Sequence, residues 1–232
     1  MNIRTQILCA WCGPAFAVLF GLGFFLTAGF LPPHPPAASA QDIANIYADG
    51  DLQIRAGMML GMYATGFYGP WTAIMYVLMR RIEGNKAPVL SLSQLISGTL
   101  GVTVFLLPCM IWTVAAFRSE SSPEIIQMLN DFAWLFLTVV VAPFIFQYLA
   151  FGMAVLQDDK PQPLIPRWLG YFTIWAAIIF IPAGMIPFFK TGVFAWTGII
   201  AFWLPAGTFF VSLFIMAHYF VRAIRNQAYE QQ

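Results

Sequence analysis

The chain has 232 residues, of which 60% are hydrophobic and 9% charged, with a formal charge of +1 and a mean hydropathy of +0.75. Roughly a quarter of the residues in an ordinary soluble domain are charged, so too little polar surface is present here to cover a soluble globule. The near-neutral charge, without a basic patch, also speaks against an electrostatic nucleic-acid binder.

Apolar stretches near the ~20 residues that cross a hydrocarbon core fall at 8–31, 56–79, 94–117, 132–156, 168–188 and 199–221. They predict an all-α integral membrane protein, a bundle of about six transmembrane helices forming a single polytopic domain over 1–232. The first stretch follows Arg4 and precedes Ala38-Ser39-Ala40, which resembles a signal-peptide cleavage site. Its apolar run, Ile7 to Leu31, is longer than a typical h-region, so the expectation is a retained span. Cys9 and Cys12 enter this span and Cys109 lies in the third, where they read as small apolar packing residues rather than a metal pair, since no further ligand is nearby.

After the first span, Leu31-Pro32-Pro33-His34-Pro35-Pro36 predicts an extended segment. Ser39 with Asp42 three residues on resembles a capping box for a short helix through Tyr47, ending near Gly50. Within the second span, Gly57, Gly61, Thr65 and Gly69 recur every four residues and predict a close helix contact. Gly13, Ala17 and Gly21 in the first span, and Ser97 and Gly101 in the third, extend the pattern. Ser122 and Pro123 predict a second capped helix in the third loop, with Glu124 at its N-terminus. The 190–198 stretch reads as a tight interfacial loop between spans five and six. The extracytoplasmic loops are thus expected to be short and structured.

Orientation follows from Lys and Arg. Arg4, Arg80, Arg81, Lys86, Lys160, Arg167, Arg222 and Arg225 fall on one side of a six-span chain, against Arg55, Arg118 and Lys190 on the other. The excess predicts both termini in the cytoplasm and a plasma or inner membrane location.

Each expected span contains a proline: Pro14, Pro70, Pro108, Pro143, Pro182 and Pro205. A proline inside a helix removes a hydrogen bond and kinks the chain, and the freed carbonyl needs a neighbouring helix or a water-lined cavity. Pro108, Pro143, Pro182 and Pro205 lie in the middle or outer half and predict a cavity facing outward, although helix packing alone accounts for them equally well. Trp11 and Trp168 are expected as anchors at the inner interface, and Trp134 and Trp196 at the outer one. Deeper lie Trp71, Trp112, Trp175 and Trp203, with Gln147 the most polar side chain at mid-depth. These five are the candidate substrate-binding residues; for Gln147 a hydrogen bond across helices is the first reading and a place in a solute pathway the second.

Catalytic templates find little support. His34 and His218 are the only histidines and lie at opposite membrane faces, no Lys occupies a span centre, and no paired intramembrane carboxylates occur. The expectation is therefore no enzyme, no cofactor and no metal. Phe67-Tyr68-Gly69-Pro70 and Trp203-Leu204-Pro205-Ala206 resemble short tracts of the six-helix urea and amide channels. The resemblance covers a few residues, the Pro-rich loop departs from it, and no functional residue carries over. The leading functional expectation is a passive carrier or channel for a small neutral or apolar molecule. A non-catalytic subunit of a larger membrane complex is the alternative, and a membrane enzyme ranks third. The expected surroundings are the lipid bilayer and either a membrane-protein partner or further copies of the chain.

Overall fold

The structure, a computed structural model, describes residues 2–230, with side chains through Asn226. Met1, Gln231 and Gln232, which the expected 1–232 domain includes, lie outside the described residues. In chain order the α-helices are α1 (Ile3–Gly21), α2 (Ala40–Asp49), α3 (Asp51–Thr65), α4 (Tyr68–Glu83), α5 (Val89–Phe117), α6 (Pro123–Val139), α7 (Ala142–Leu156), α8 (Arg167–Phe180) and α9 (Leu204–Glu230). A π-helical segment, Leu22–Thr27, extends α1; a 3-10 helix, Ile181–Phe188, extends α8; a second π-helical segment, Ile199–Trp203, leads into α9. No strand occurs among the described residues.

Five helical stretches are long and apolar enough to cross a membrane: Ile3–Thr27, Val89–Phe117, Pro123–Leu156, Arg167–Phe188 and Ile199–Asn226. The second expected span, 56–79, is not a continuous helix. It is divided between α3 and α4, of 15 and 16 residues, by a turn at Gly66 and Phe67. The cause is local. Pro70 has no N–H for the carbonyl of Gly66, and the chain tightens ahead of it, with Gly66 N donating to Tyr63 O at 3.2 Å and Phe67 N to Ala64 O at 3.0 Å. Even so, α3 and α4 run end to end. Trp71 of α4 lies against Gly13, and Gly57 of α3 against Gly23; likewise Thr72 lies against Gly98, and Gly61 against Cys109. As numbers rise along α1 and α5, they fall along the α3–α4 pair, so both halves are antiparallel to the same two neighbours.

Proline does the same elsewhere, which corrects the expectation of six kinked helices. Only Pro14 and Pro108 lie inside continuous α-helices. Pro70, Pro143 and Pro205 occupy the first turn of a new helix, and Pro182 the first turn of the 3-10 segment, positions where an N–H has no helical acceptor to lose. The preceding carbonyls find other donors. Val139 O, which an unbroken helix would pair with residue 143, accepts from Val141 N at 2.8 Å.

Caps follow the sequence closely at α2, where Ser39 and Asp42 form a reciprocal capping box and the helix closes on Gly50. Pro123 opens α6 as expected, although Ser122 makes no side-chain cap bond. The N-terminus of α5 is capped from a distance: Glu83 Oε1 accepts from Leu90 N at 3.0 Å and Ser91 N at 3.2 Å.

Glycine sets how closely the helices approach. A Cβ on Gly13 would lie 2.6 Å from the Trp71 ring, and one on Gly23 2.6 Å from Gly57 O. Gly57 and Gly61 of the predicted row are in contact as expected, whereas Gly69, beyond the break, faces open space. The tightest site along α5 is Gly98, which lies under the Gln147 amide and Thr72. Trp11 and Trp168 are half-exposed, as interface anchors would be, but Trp134 and Trp196 are buried, because both pack inward under the 28–38 loop.

Candidate functional site

At the end of the bundle bearing Arg80, Arg81 and Arg222, hereafter the basic half, buried polar side chains pair with one another. Tyr68 Oη donates to Gln147 Oε1 at 2.7 Å, Gln147 Nε2 donates to Thr72 Oγ1 at 3.3 Å, and Gln94 Nε2 reaches Thr72 O at 3.4 Å. Tyr148 bonds to Ser212, whose hydroxyl donates to Phe209 O at 2.6 Å. The amide of Gln147 is thus engaged on both sides, linking α4 to α7.

Above Tyr68 the character changes. The rings of Phe105, Phe144 and Phe209 lie over it at centroid separations of 6.3, 6.3 and 6.1 Å and form one wall of a cavity of about 90 Å³. The remaining walls come from the ends of α1, α6 and α8 and the start of α9, including Phe24, Leu137, Phe180, Ala183, Phe202 and Ala206. Thr138 is the single polar side chain in the lining, and its hydroxyl donates to Trp134 O at 2.7 Å.

The cavity coincides with four departures from α-helical backbone in this half. Phe24 and Phe25 belong to the first π-helical segment, and Ala201 and Phe202 to the second. Val141 is one of the two residues between α6 and α7, and Phe180 and Ala183 straddle the passage from α8 into the 3-10 helix. Three of these irregularities have a proline behind them. Pro143, Pro182 and Pro205 each lack the N–H that would continue the preceding turn, so adjoining helices change pitch at one depth and their side chains do not interdigitate. At Ile199–Trp203 the loop supplies acceptors instead: Val193 O takes Ile200 N and Ala201 N, both at 3.2 Å.

A cap of aromatic rings lies beyond the cavity. Phe30 and His34, brought over the bundle by the Pro-rich loop, pack on Trp112, Trp134 and Trp196. Trp196 Nε1 donates to His34 O at 2.7 Å. Asn130 Nδ2 donates to Asp131 Oδ1 at 3.1 Å, which leaves its Oδ1 to accept from Tyr47 Oη and from His34 Nδ1, both at 3.0 Å. Burial holds His34 below the usual imidazole range, with the Asn130 bond opposing the shift.

The five sequence-derived candidates are dispersed. Gln147 is buried in the polar layer one ring below the cavity. Trp71 is buried deeper in the basic half, stacked on Phe220 at 4.9 Å. Trp112 is buried in the aromatic cap, and Trp203 is half-buried beside Phe202. Trp175 is 47% exposed and faces outward beside Phe172. None of the five is among the residues that line the cavity. Sequence reasoning looked for rare polar and indole groups and passed over phenylalanine, yet Phe20, Phe24, Phe105, Phe144 and Phe209 supply most of the aromatic wall. With 23 Phe in the chain, no single one could stand out, although their proximity to Pro143 and Pro205 was a usable signal. Among the described residues no group of His, Cys, Asp and Glu is placed to hold a metal ion.

Comparison with protein families, with characterised proteins and with solved structures finds no match to this chain.

Proposed function

We propose that this chain is a polytopic membrane protein that acts as a passive carrier for a small apolar or neutral molecule held in the phenylalanine-lined cavity. The observation that carries the reading is the coincidence of that cavity with the change of backbone geometry in four neighbouring helical stretches. Irregular backbone is costly inside a membrane, because each unpaired carbonyl or N–H lacks water; breaks and π-helical turns collected around one space mark a functional site. The lining has no charge and one hydroxyl, which favours an apolar occupant. The filled polar layer at Tyr68 and Gln147 favours a carrier that exchanges its occupant over an open pore.

In the membrane, α3 and α4 together make one broken crossing beside the five long apolar stretches, giving six. Both termini then lie on the cytoplasmic side of a plasma or inner membrane, by the Lys and Arg excess at the basic half, with the aromatic cap outside. Cys introduced at Ser121 should label from outside intact cells and Cys at Asn85 should not; the reverse would overturn this orientation.

Ligand-dependent melting of the purified protein tests the carrier reading. The small alkene 2-methylpropene should raise the melting midpoint in a concentration-dependent way, and Ala206→Trp, which places an indole in the cavity, should remove the rise while leaving the protein folded. An equal rise in both proteins, or none in the wild type, would contradict the assignment.

A further inference from the structure

We propose that the indole N–H groups of Trp112 and Trp134 form a donor subsite adjoining the cavity, so that the occupant is a small apolar molecule carrying one neutral acceptor oxygen, as in a ketone, aldehyde or ether. This rests on the carrier reading and specifies its ligand class.

Both side chains are fully buried, and neither Nε1 has a hydrogen-bond partner. Buried donors without acceptors are uncommon and call for a cause. Here two occur side by side, with ring centroids 5.1 Å apart. The surrounding polar groups are otherwise provided for: Trp196 Nε1 has His34 O, and Tyr47 Oη has Asn130. The pair is one ring away from the cavity. Phe24, which lines the cavity, lies 5.3 Å from Trp112 and 5.6 Å from Trp134, and Phe202, also in the lining, lies 6.0 Å from Trp134. Phe24 and Phe202 stand on the two π-helical segments. The Phe24 ring is thus what stands between the indoles and the cavity.

The opposite wall offers the ligand nothing comparable, since the Tyr68 hydroxyl is given to Gln147 and the Thr138 hydroxyl to Trp134 O. An oxygen in the cavity therefore turns toward the cap. It is a neutral oxygen, because no Lys or Arg lines the cavity to balance a carboxylate and burial keeps His34 below the usual imidazole range.

Acetone and 2-methylpropene, nearly alike in shape and differing at the carbonyl oxygen, test the subsite. Binding of each to the purified full chain is measured for the wild type, Trp112→Phe and Trp134→Phe. Each substitution should weaken acetone by about five- to tenfold, the worth of one neutral hydrogen bond, and leave 2-methylpropene within about twofold. Equal losses for both ligands, or no loss for acetone, overturn the subsite while the carrier reading stands. Failure of both ligands to bind the wild type overturns the carrier reading and the subsite together. Should either variant fail to fold, ultraviolet resonance Raman spectra of the wild type decide. Acetone, and not 2-methylpropene, should shift indole bands toward the hydrogen-bonded position, beyond the signal of Trp196, which is bonded without ligand; no acetone-dependent shift would overturn the proposal.

Discussion

The two halves of the bundle solve the same packing problem differently. In the basic half, helices of regular α-geometry approach through Gly13, Gly98, Gly152 and Gly170, and Tyr68, Gln147 and Thr72 are hydrogen-bonded between them. In the capped half the helices change pitch or break, phenylalanine fills the space between them, and a cavity persists. At Gly98 both backbones are regular and the small residue permits close approach. Where Pro143, Pro182 and Pro205 alter the pitch, large rings bridge the gap incompletely. On the proposed carrier reading, the basic half is the base and the capped half the part that exchanges the ligand.

The largest effect expected from this contrast is at Gly98. A leucine there would meet the Gln147 amide and Thr72 with no room to move, and overpacking costs on the order of 1–3 kcal/mol. Gly98→Leu should melt well below the wild type, whereas Gly184→Leu, with nothing near its Cβ, should melt close to it. Matching midpoints for the two variants would remove the distinction between the halves.

A smaller effect is expected at Gln147. Leucine leaves the buried Tyr68 hydroxyl without its acceptor and Thr72 without one donor, a loss of about 1–3 kcal/mol. Because the amide lies below the phenylalanine layer, Gln147→Leu should lower the melting midpoint and leave the rise produced by 2-methylpropene unchanged. A lost ligand response with unaltered stability would place the amide in the ligand path instead.

The smallest effect belongs to the cap. His34 is buried among Phe30, Tyr47 and Trp134, with Asp131 beyond Asn130, and its folded-state pKa is depressed by that burial. Above the ordinary imidazole value of about 6.5 it is neutral both folded and unfolded, so its contribution is constant. As pH falls through that value the unfolded chain takes up the proton first, and stability declines until the depressed folded value is reached. Melting midpoints compared between pH 7.5 and lower pH should show this fall in the wild type and less of it in His34→Gln. Parallel profiles would show that the imidazole is not the group responsible.

Much of the fold was legible because its signals are local. Apolar length located the five stretches long and apolar enough to cross a membrane, Ser39 and Asp42 marked α2, and the row through Gly57 and Gly61 marked a real contact. The break at Gly66 was hidden because hydropathy averages over a window and does not register where hydrogen bonding stops; Pro70 was visible, but its role as the start of a new helix rather than a kink depends on the turn before it. Trp134 and Trp196 were placed at a lipid interface by depth alone, which cannot tell an inward face from an outward one. Gln147 was correctly singled out as a polar group between helices. The cavity itself arises from the meeting of Phe24, Phe144, Phe202 and Phe209, residues far apart in sequence whose convergence no single segment encodes.

The most direct test is an experimental structure of the full chain extracted into nanodiscs with its native lipids. The account predicts density for a small molecule enclosed by Phe105, Phe144, Phe209 and Phe202, with a polar atom facing Trp112 and Trp134. A capped half in which these phenylalanine rings meet and fill the space, leaving no density between them, would contradict it.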